Sequence, residues 1–409
     1  MSSAGPDNQV RRRRVFYIPG YDPIHPRRYR ELYRKEAAAQ AAISGYEVAL
    51  TGRTGEKPYG WYVTSVQDAQ QVAAEIEVLV WSDIVRDSMS TSIPATYLQL
   101  LRTAWIYIGT GALWRLMRLR KGPVIAALYP VAMLLGQLLL AALLGWIVYR
   151  VATLMPGPVP AVLGTIVGLA AGIVLLRWFR ARDGRFFAYY LMHDYAYSAQ
   201  YRGANSAPLE ARMAAFRTRI AEALRGDLDE VLVVGHSSGA HLGVSVLADL
   251  IRAGEVPQHG PALGFLSLGQ VVPMVSFLPQ ADRLRADLNL LAISDALAWV
   301  DVSAPGDGCA FALCDPVTVS GVAPEGKRWP LVFSAAFTQT LSPERWRALR
   351  WRFFRLHFQY LCAFDRPGDY DYFRITAGPL TLAKRYAGRS PSRSRIDVSV
   401  SKYTSMDAA

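Results

Sequence analysis

The sequence predicts an α/β domain with a mostly parallel sheet flanked by helices, interrupted by a two-helix transmembrane hairpin. Three observations carry that expectation. Short apolar runs alternate with helix-like stretches along most of the chain. A buried-looking strand, a glycine-bounded turn and a small-residue helix meet at EVLVVGHSSGAHLG, residues 230–243. Two long uncharged segments stand close together upstream of that junction.

Taken in order, RRVFYIPGYDP reads as a strand over Val15–Ile18 broken by Pro19-Gly20. HPRRYRELYRKEAAAQAA is a basic amphipathic helix that stops near Ser44-Gly45. Strands are expected at Tyr46–Leu50 and Trp61–Val66, with the GRTGEKPYG turn between them. Gln67–Glu75 reads as a short helix and Ile76–Trp81 as another buried strand. Beyond the apolar segments, a helix over Ala207–Leu224 leads into strand Glu230–Val234. A helix over Ala240–Ala253 follows, then strands near Phe265–Leu268, Leu297–Ser303 and Leu331–Ala336, and a helix across Glu344–Leu361. The tail from Gly388 is polar and poor in core residues, so residues 388–409 are expected to be a disordered basic tail.

The chain of 409 residues is long enough to bury a sizeable core. Hydrophobic residues make up 52% of it, and most of the excess over an average soluble protein sits between residues 123 and 176. The net charge of +12 comes from clusters at Arg11–Arg14, around the apolar segments, across Arg345–Arg355 and in the tail. No RRM, zinc-finger or helix-turn-helix pattern accompanies them, so nucleic-acid binding is not expected. Cys309, Cys314 and Cys362 are too few for a disulfide framework and lack CxxC spacing, which fits reduced thiols. Arg11–Arg14 is followed by only VFYIPG before Asp22, too short an apolar stretch for a cleavable signal peptide.

Val124–Tyr149 holds 26 residues without a charge, and Pro156–Leu176 supplies a second uncharged span. About 20 residues suffice to cross the hydrocarbon layer, so each segment is a membrane-span candidate. Gly164, Gly168 and Gly172 recur every four residues, a smooth stripe on which another helix can pack closely. Arg115, Arg118, Arg120 and Lys121 precede the first span, and Arg177, Arg180, Arg182 and Arg185 follow the second. The loop between holds only Arg150. The positive-inside rule then places both termini and the folded domain in the cytoplasm, at the plasma (inner) membrane of a multi-pass protein. Tyr97–Trp114, apolar but interrupted by Arg102, reads as an interfacial lead-in helix.

Gly235-His236-Ser237-Ser238-Gly239 completes a G-x-S-x-G pattern between a strand and a helix. Such a turn lifts the serine hydroxyl above the strand end, beside helix N–H groups that favour developing negative charge. On these residues the sequence resembles the α/β-hydrolase family, its serine esterase and lipase branch. The resemblance spans residues 14–110 and 186–385 in outline, with the hairpin of residues 111–185 as an insertion between the two parts.

The resemblance implies Ser237 as nucleophile, followed in chain order by an acid and a histidine. It implies an oxyanion hole from the Ser238 N–H and a second N–H from Ile18-Pro19-Gly20-Tyr21-Asp22. That loop is similar to the family's His-Gly loop with proline in place of histidine, and Gly20 and Tyr21 are its candidates. Of the histidines after Ser237, His241 and His259 precede the acid candidates, and His357 alone satisfies the order. His357 lies in RLHFQYL, similar to the His-x-x-Tyr that carries the base in some lipases, though it falls late and inside a helical stretch. WVDVSAPGD is similar to the family's strand and turn ending in aspartate, which favours Asp307 as the acid, with Asp301 and Asp315 as alternatives.

Trp81-Ser82-Asp83 is read either as pocket lining or as a helix start capped by Asp83. Arg345–Arg355 with its aromatics is read either as lipid-headgroup contact or as a helix that packs its aromatics inward. No metal-ligand spacing or phosphate-binding glycine loop is present, so no cofactor and no metal is expected. The expectation is a membrane-anchored serine hydrolase acting on a carboxylic ester or lipid-like small molecule, in contact with membrane lipids. The competing expectation is a catalytically silent membrane scaffold of the same fold.

Overall fold

A computed structural model describes residues 9–53, 58–89 and 92–407. Residues 54–57 of the 52–60 turn expected above lie outside the described residues. Eight strands form one sheet in the order β2-β3-β4-β1-β5-β6-β7-β8. They are β1 (Arg12–Ile18), β2 (Glu47–Gly52), β3 (Gly60–Gln67), β4 (Gln70–Val78), β5 (Glu230–His236), β6 (Ala262–Leu268), β7 (Ala298–Ser303) and β8 (Leu331–Ser334). From β4 to β8 every pairing is parallel, while β2, β3 and β4 form an antiparallel edge.

Central strands of a parallel sheet are covered on both faces and so read as continuous apolar runs, as VLVV in β5 does. One face packs on α1 (Arg27–Ser44) and on C-terminal segments, through Tyr29, Tyr33, Trp61, Phe333, Tyr360 and Phe373. The other face is covered by α7 (Ala207–Leu224), α8 (Gly239–Arg252) and α9 (Asp282–Ile293), around Phe216, Leu242, Phe265, Leu288 and Trp299. Each such side chain contributes about 1.5–3 kcal/mol by leaving water.

Between the early strands and β5 run α2 (Ile93–Gly109), α3 (Ala112–Leu119), α4 (Lys121–Ala152), α5 (Pro158–Ala181) and α6 (Ala188–Ala199). Helices α4 and α5 are long and apolar enough to cross a membrane, and only 17% of the most apolar window of each is buried. Core helices of a large soluble domain would be mostly covered. The buried positions of α5 are Gly164, Gly168 and Gly172, the expected stripe. Backbone meets backbone along it: a Cβ on Gly168 would stand 2.5 Å from the Gly145 carbonyl oxygen. β1, before the hairpin, pairs with β5, after it, so both parts of the chain share one sheet.

The base of the hairpin is bound to the sheet domain. Arg120 Nε donates to the Ala312 carbonyl at 2.8 Å, Tyr129 Oη donates to the Phe186 carbonyl at 2.7 Å, and Gly122 packs on Gly308. The expected lead-in helix is two helices, α2 and α3, broken at Thr110-Gly111, with Leu98, Leu101 and Trp105 facing outward.

Three expectations are corrected. Gln67–Glu75 is not helical: Asp68 and Ala69, both at positive φ, form a tight turn that returns β4 along β3. Once β4 lies between β3 and β1, cross-strand pairing overrides the local helical preference of QQVAAE. The helix expected over Glu344–Leu361 is broken into Pro343–Leu349, α10 (Phe353–His357) and a 3₁₀ turn at Phe358–Leu361. The C-terminal tail from Gly388 to Asp407 is ordered rather than disordered, because its backbone is hydrogen-bonded. Ile396 N–H donates to the Leu313 carbonyl, Asp315 N–H to the Ile396 carbonyl, and Val400 N–H to the Val319 carbonyl, at 2.7, 2.9 and 3.1 Å. Arg285 and Arg115 hold further tail carbonyls.

Candidate active site

Ser237 sits where β5 turns into α8, with φ +57, a left-handed conformation that a non-glycine residue adopts at a cost of about 1–3 kcal/mol. The turn that enforces it is too tight for side chains on either flank. A Cβ on Gly235 would come 2.6 Å from the Gly239 carbonyl oxygen, and one on Gly239 2.1 Å from the Ile18 carbonyl oxygen. Ser237 N–H donates to the Leu268 carbonyl at 2.9 Å, tying the turn to the end of β6. The Ser237 side chain lines a cavity of about 950 Å³.

Asp307 and His357 come together 50 residues apart: His357 Nδ1–H donates to Asp307 Oδ2 at 2.7 Å. Two further donors hold the carboxylate, Tyr360 Oη at 3.0 Å on Oδ2 and the Cys309 N–H at 2.9 Å on Oδ1. Burial alone would raise the Asp307 carboxyl. The imidazole's charge and these hydrogen bonds outweigh it and hold the group below its ordinary value. With Nδ1 as the donor, His357 presents an acceptor at Nε2, which is buried and has no hydrogen-bond partner among the described residues. His357 and Ser237 line the same cavity, without a hydrogen bond between them.

The alternative acids lie in other roles. Asp301 Oδ1 accepts from Ser267 Oγ at 2.6 Å inside the sheet, and burial pushes its carboxyl up to about 8. Asp315 caps the short helix Pro316–Val319 and pairs with Lys327. His241 is half-buried on α8, where loss of water pushes it down to about 4, and His259 is exposed.

The 18–22 loop passes directly over the serine: a Cβ on Gly20 would stand 3.0 Å from Ser237 Cβ. Trp81 Nε1 donates to the Pro19 carbonyl at 2.9 Å and Tyr190 Oη to the Tyr21 carbonyl, so the loop is pinned on both sides. The N–H groups of Gly20, Tyr21 and Ser238 find no acceptor among the described residues. Trp81 therefore supports the loop, while Ser82 starts the short helix Ser82–Ser88 and Asp83 pairs with Arg212. The Arg345–Arg355 aromatics divide: Phe354 packs on Phe187 with ring centroids 5.1 Å apart, whereas Trp351 is 72% and Phe353 46% exposed.

Some participants carried no sequence signal or only a faint one. His236 Nε2–H donates to the His357 carbonyl at 3.0 Å and its ring lies 4.7 Å from the His357 ring, which fixes the His357 backbone. Burial, with His357 adding to it, pushes His236 down to about 3, so it stays neutral. Tyr360 was marked only by the His-x-x-Tyr spacing. Asp194, on α6, had no local motif.

Among the described residues, Asp307, Cys309 and His357 bring metal-ligating atoms within 4.8 Å of one another. The carboxylate and Nδ1 already bind each other, and burial pushes the Cys309 thiol well up, away from the thiolate a metal would take. Compared with family models, with curated proteins and with solved structures, the chain matches none.

Proposed function

We propose that the protein is a membrane-anchored serine hydrolase of α/β-hydrolase type that cleaves carboxylic esters, lipid-like ones included, through an acyl-enzyme. The observation that carries this reading is a serine at positive φ on a strand–helix turn, sharing one cavity with the histidine of a buried Asp–His pair whose outer nitrogen has no partner among the described residues. Ser237 Oγ attacks the ester carbonyl carbon and passes its proton to His357 Nε2. The tetrahedral intermediate collapses, the C–O bond to the alcohol breaks, and the leaving alkoxide takes that proton. Water then repeats the sequence on the acyl-enzyme and releases the acid. Asp307 holds the imidazole tautomer and supports its positive charge, and the Gly20, Tyr21 and Ser238 amides receive the oxyanion.

A p-nitrophenyl ester tests the chemistry. A pre-steady-state burst of nitrophenol, equal in amount to the protein, followed by slower turnover is the expected result. Nitrophenol release that never exceeds the buffer rate would refute it.

The hairpin places the domain at the cytoplasmic face of the membrane in this reading. Pro123, at the start of α4, and Asp183, Gly184 and Phe187, just beyond α5, all line the cavity. Substrates dissolved in the bilayer would thus meet the pocket near the membrane surface. In a background lacking Cys309, Cys314 and Cys362, Gly157→Cys should react with a membrane-impermeant thiol reagent in intact cells. Ser3→Cys and Ser405→Cys should react only after lysis. Labelling of either terminus from outside would overturn this topology, and release of the protein by carbonate would overturn the hairpin as a membrane anchor.

A further inference from the structure

The charged groups lining the cavity are mostly neutralised by one another. Arg28 pairs with Asp22 at 3.0 Å and stacks over Phe358, and Lys35 and Arg345 share Glu36 at 3.8 and 3.7 Å. Asp183 accepts the Tyr189 and Tyr190 N–H groups at the start of α6. Arg352 and Arg355 have no carboxylate partner among the described residues, but both are exposed at the rim. That leaves Asp194 as the one charge-bearing group of the lining that is not exposed and has no partner among the described residues.

Asp194 accepts no hydrogen bond from any described residue. Of the hydroxyls its charge reaches, Tyr107 bonds the Met274 carbonyl, Tyr190 the Tyr21 carbonyl and Tyr21 Ser88 Oγ, while the Tyr195 hydroxyl makes no hydrogen bond to it. Aromatic rings line the same cavity. Tyr21 and Tyr190 lie 6.3 Å apart, Phe187 and Tyr190 6.4 Å, and Tyr190 and Phe354 6.3 Å between ring centroids. Asp194 is half-buried, and a carboxylate held in a cavity without a donor gains from a cation that also meets the neighbouring rings.

Resting on the serine-hydrolase reading, we infer that this part of the cavity is a binding site for the ammonium group of the substrate, with Asp194 as the counter-ion and Tyr21, Tyr190, Phe187 and Phe354 as its aromatic wall. The substrate class is then an ester whose alcohol or acyl part carries a quaternary or primary ammonium. Burial pushes the Asp194 carboxyl up to about 7 against the opposing pull of His357, the behaviour of a group that gains most when a cation arrives. The exposed Arg352 and Arg355 stand outside this site, where they can meet anionic headgroups of the membrane.

The test uses the full chain in detergent with butyrylcholine, its uncharged isostere 3,3-dimethylbutyl butyrate, and an ester of equal chain length with an anionic head. The parent should favour the choline ester over the isostere by about tenfold in kcat/KM, within the range of a desolvated cation–π contact with a counter-ion. Asp194→Asn should bring that ratio close to one. Parity in the parent, preference for the anionic ester, or an unchanged ratio in Asp194→Asn would overturn the assignment. Calorimetric titration with choline reads the site apart from catalysis. Choline binding that Asp194→Asn abolishes, with no ester turned over, would leave the ammonium site standing and remove the hydrolase reading instead. Turnover of the neutral ester, without choline binding or choline preference, would do the reverse.

Discussion

Ser237→Ala should lower kcat by on the order of 10⁵- to 10⁶-fold, the scale seen when a triad nucleophile is removed. The fold should survive. Ser237 Oγ makes no hydrogen bond to a described residue, and alanine meets the same positive φ that serine already tolerates. The elbow is set by Gly235, Gly239 and the Ser237 N–H to Leu268 contact, none of which the substitution touches. Unchanged thermal unfolding in detergent with lost ester hydrolysis is the expected pair of results. Activity within about tenfold of the parent would move the nucleophile elsewhere.

Asp307→Asn should cost about 10⁴ in kcat, because an amide in that place can hold the imidazole in the wrong tautomer. Its carboxylate takes hydrogen bonds from His357 Nδ1, Tyr360 and the Cys309 N–H, a set of three donors that an Asn oxygen and NH₂ cannot accept together. Asp301→Asn is the informative comparison. Asp301 has a carboxyl raised from 3.8 to about 8 by burial, so the folded protein keeps a proton that the unfolded chain releases between those values. Stability therefore falls as pH rises across that window, and Asn removes the slope. Asp301→Asn should keep activity within about tenfold of the parent while flattening the pH dependence of unfolding between pH 4 and 8. A larger kinetic loss at Asp301 than at Asp307 would reassign the acid.

How much of this was legible in the sequence depended on whether the determinant was local. The elbow was legible because its geometry needs glycine at fixed offsets between a strand and a helix, and all three requirements are written into residues 230–253. The hairpin was legible for the same reason: length, absence of charge and the four-residue glycine period are properties of the segments themselves. Helix Ala207–Leu224 matched to the residue. The errors fell where distant chain decides. Gln70–Val78 is a strand because β3 and β1 flank it, and residues 388–407 are ordered because the 313–319 segment accepts and donates along them. Arg13 looked like part of a solvated basic cluster, yet it is fully buried, bound to Glu230 at 2.5 Å and to two carbonyls from residues 378 and 380.

The same division runs through the site. Ser237, Asp307 and His357 were candidates by motif and order, and the fold brings Ser237 and His357 to one cavity with Asp307 bound behind the imidazole. Their supports were not legible. His236 and Trp81 act through a single hydrogen bond each, to the His357 and Pro19 carbonyls, and nothing in their own neighbourhoods specifies those partners. Asp194 lies in AYYLMHDYAYSA, where it is one polar residue on an otherwise unremarkable helix.

The most direct test of the central claim is to treat the full-length protein in detergent with a fluorophosphonate, digest it, and map the adduct by mass spectrometry. The account predicts one phosphonylated residue, Ser237, absent after the protein has been denatured before treatment. An unmodified Ser237, or an adduct on another residue alone, would contradict it.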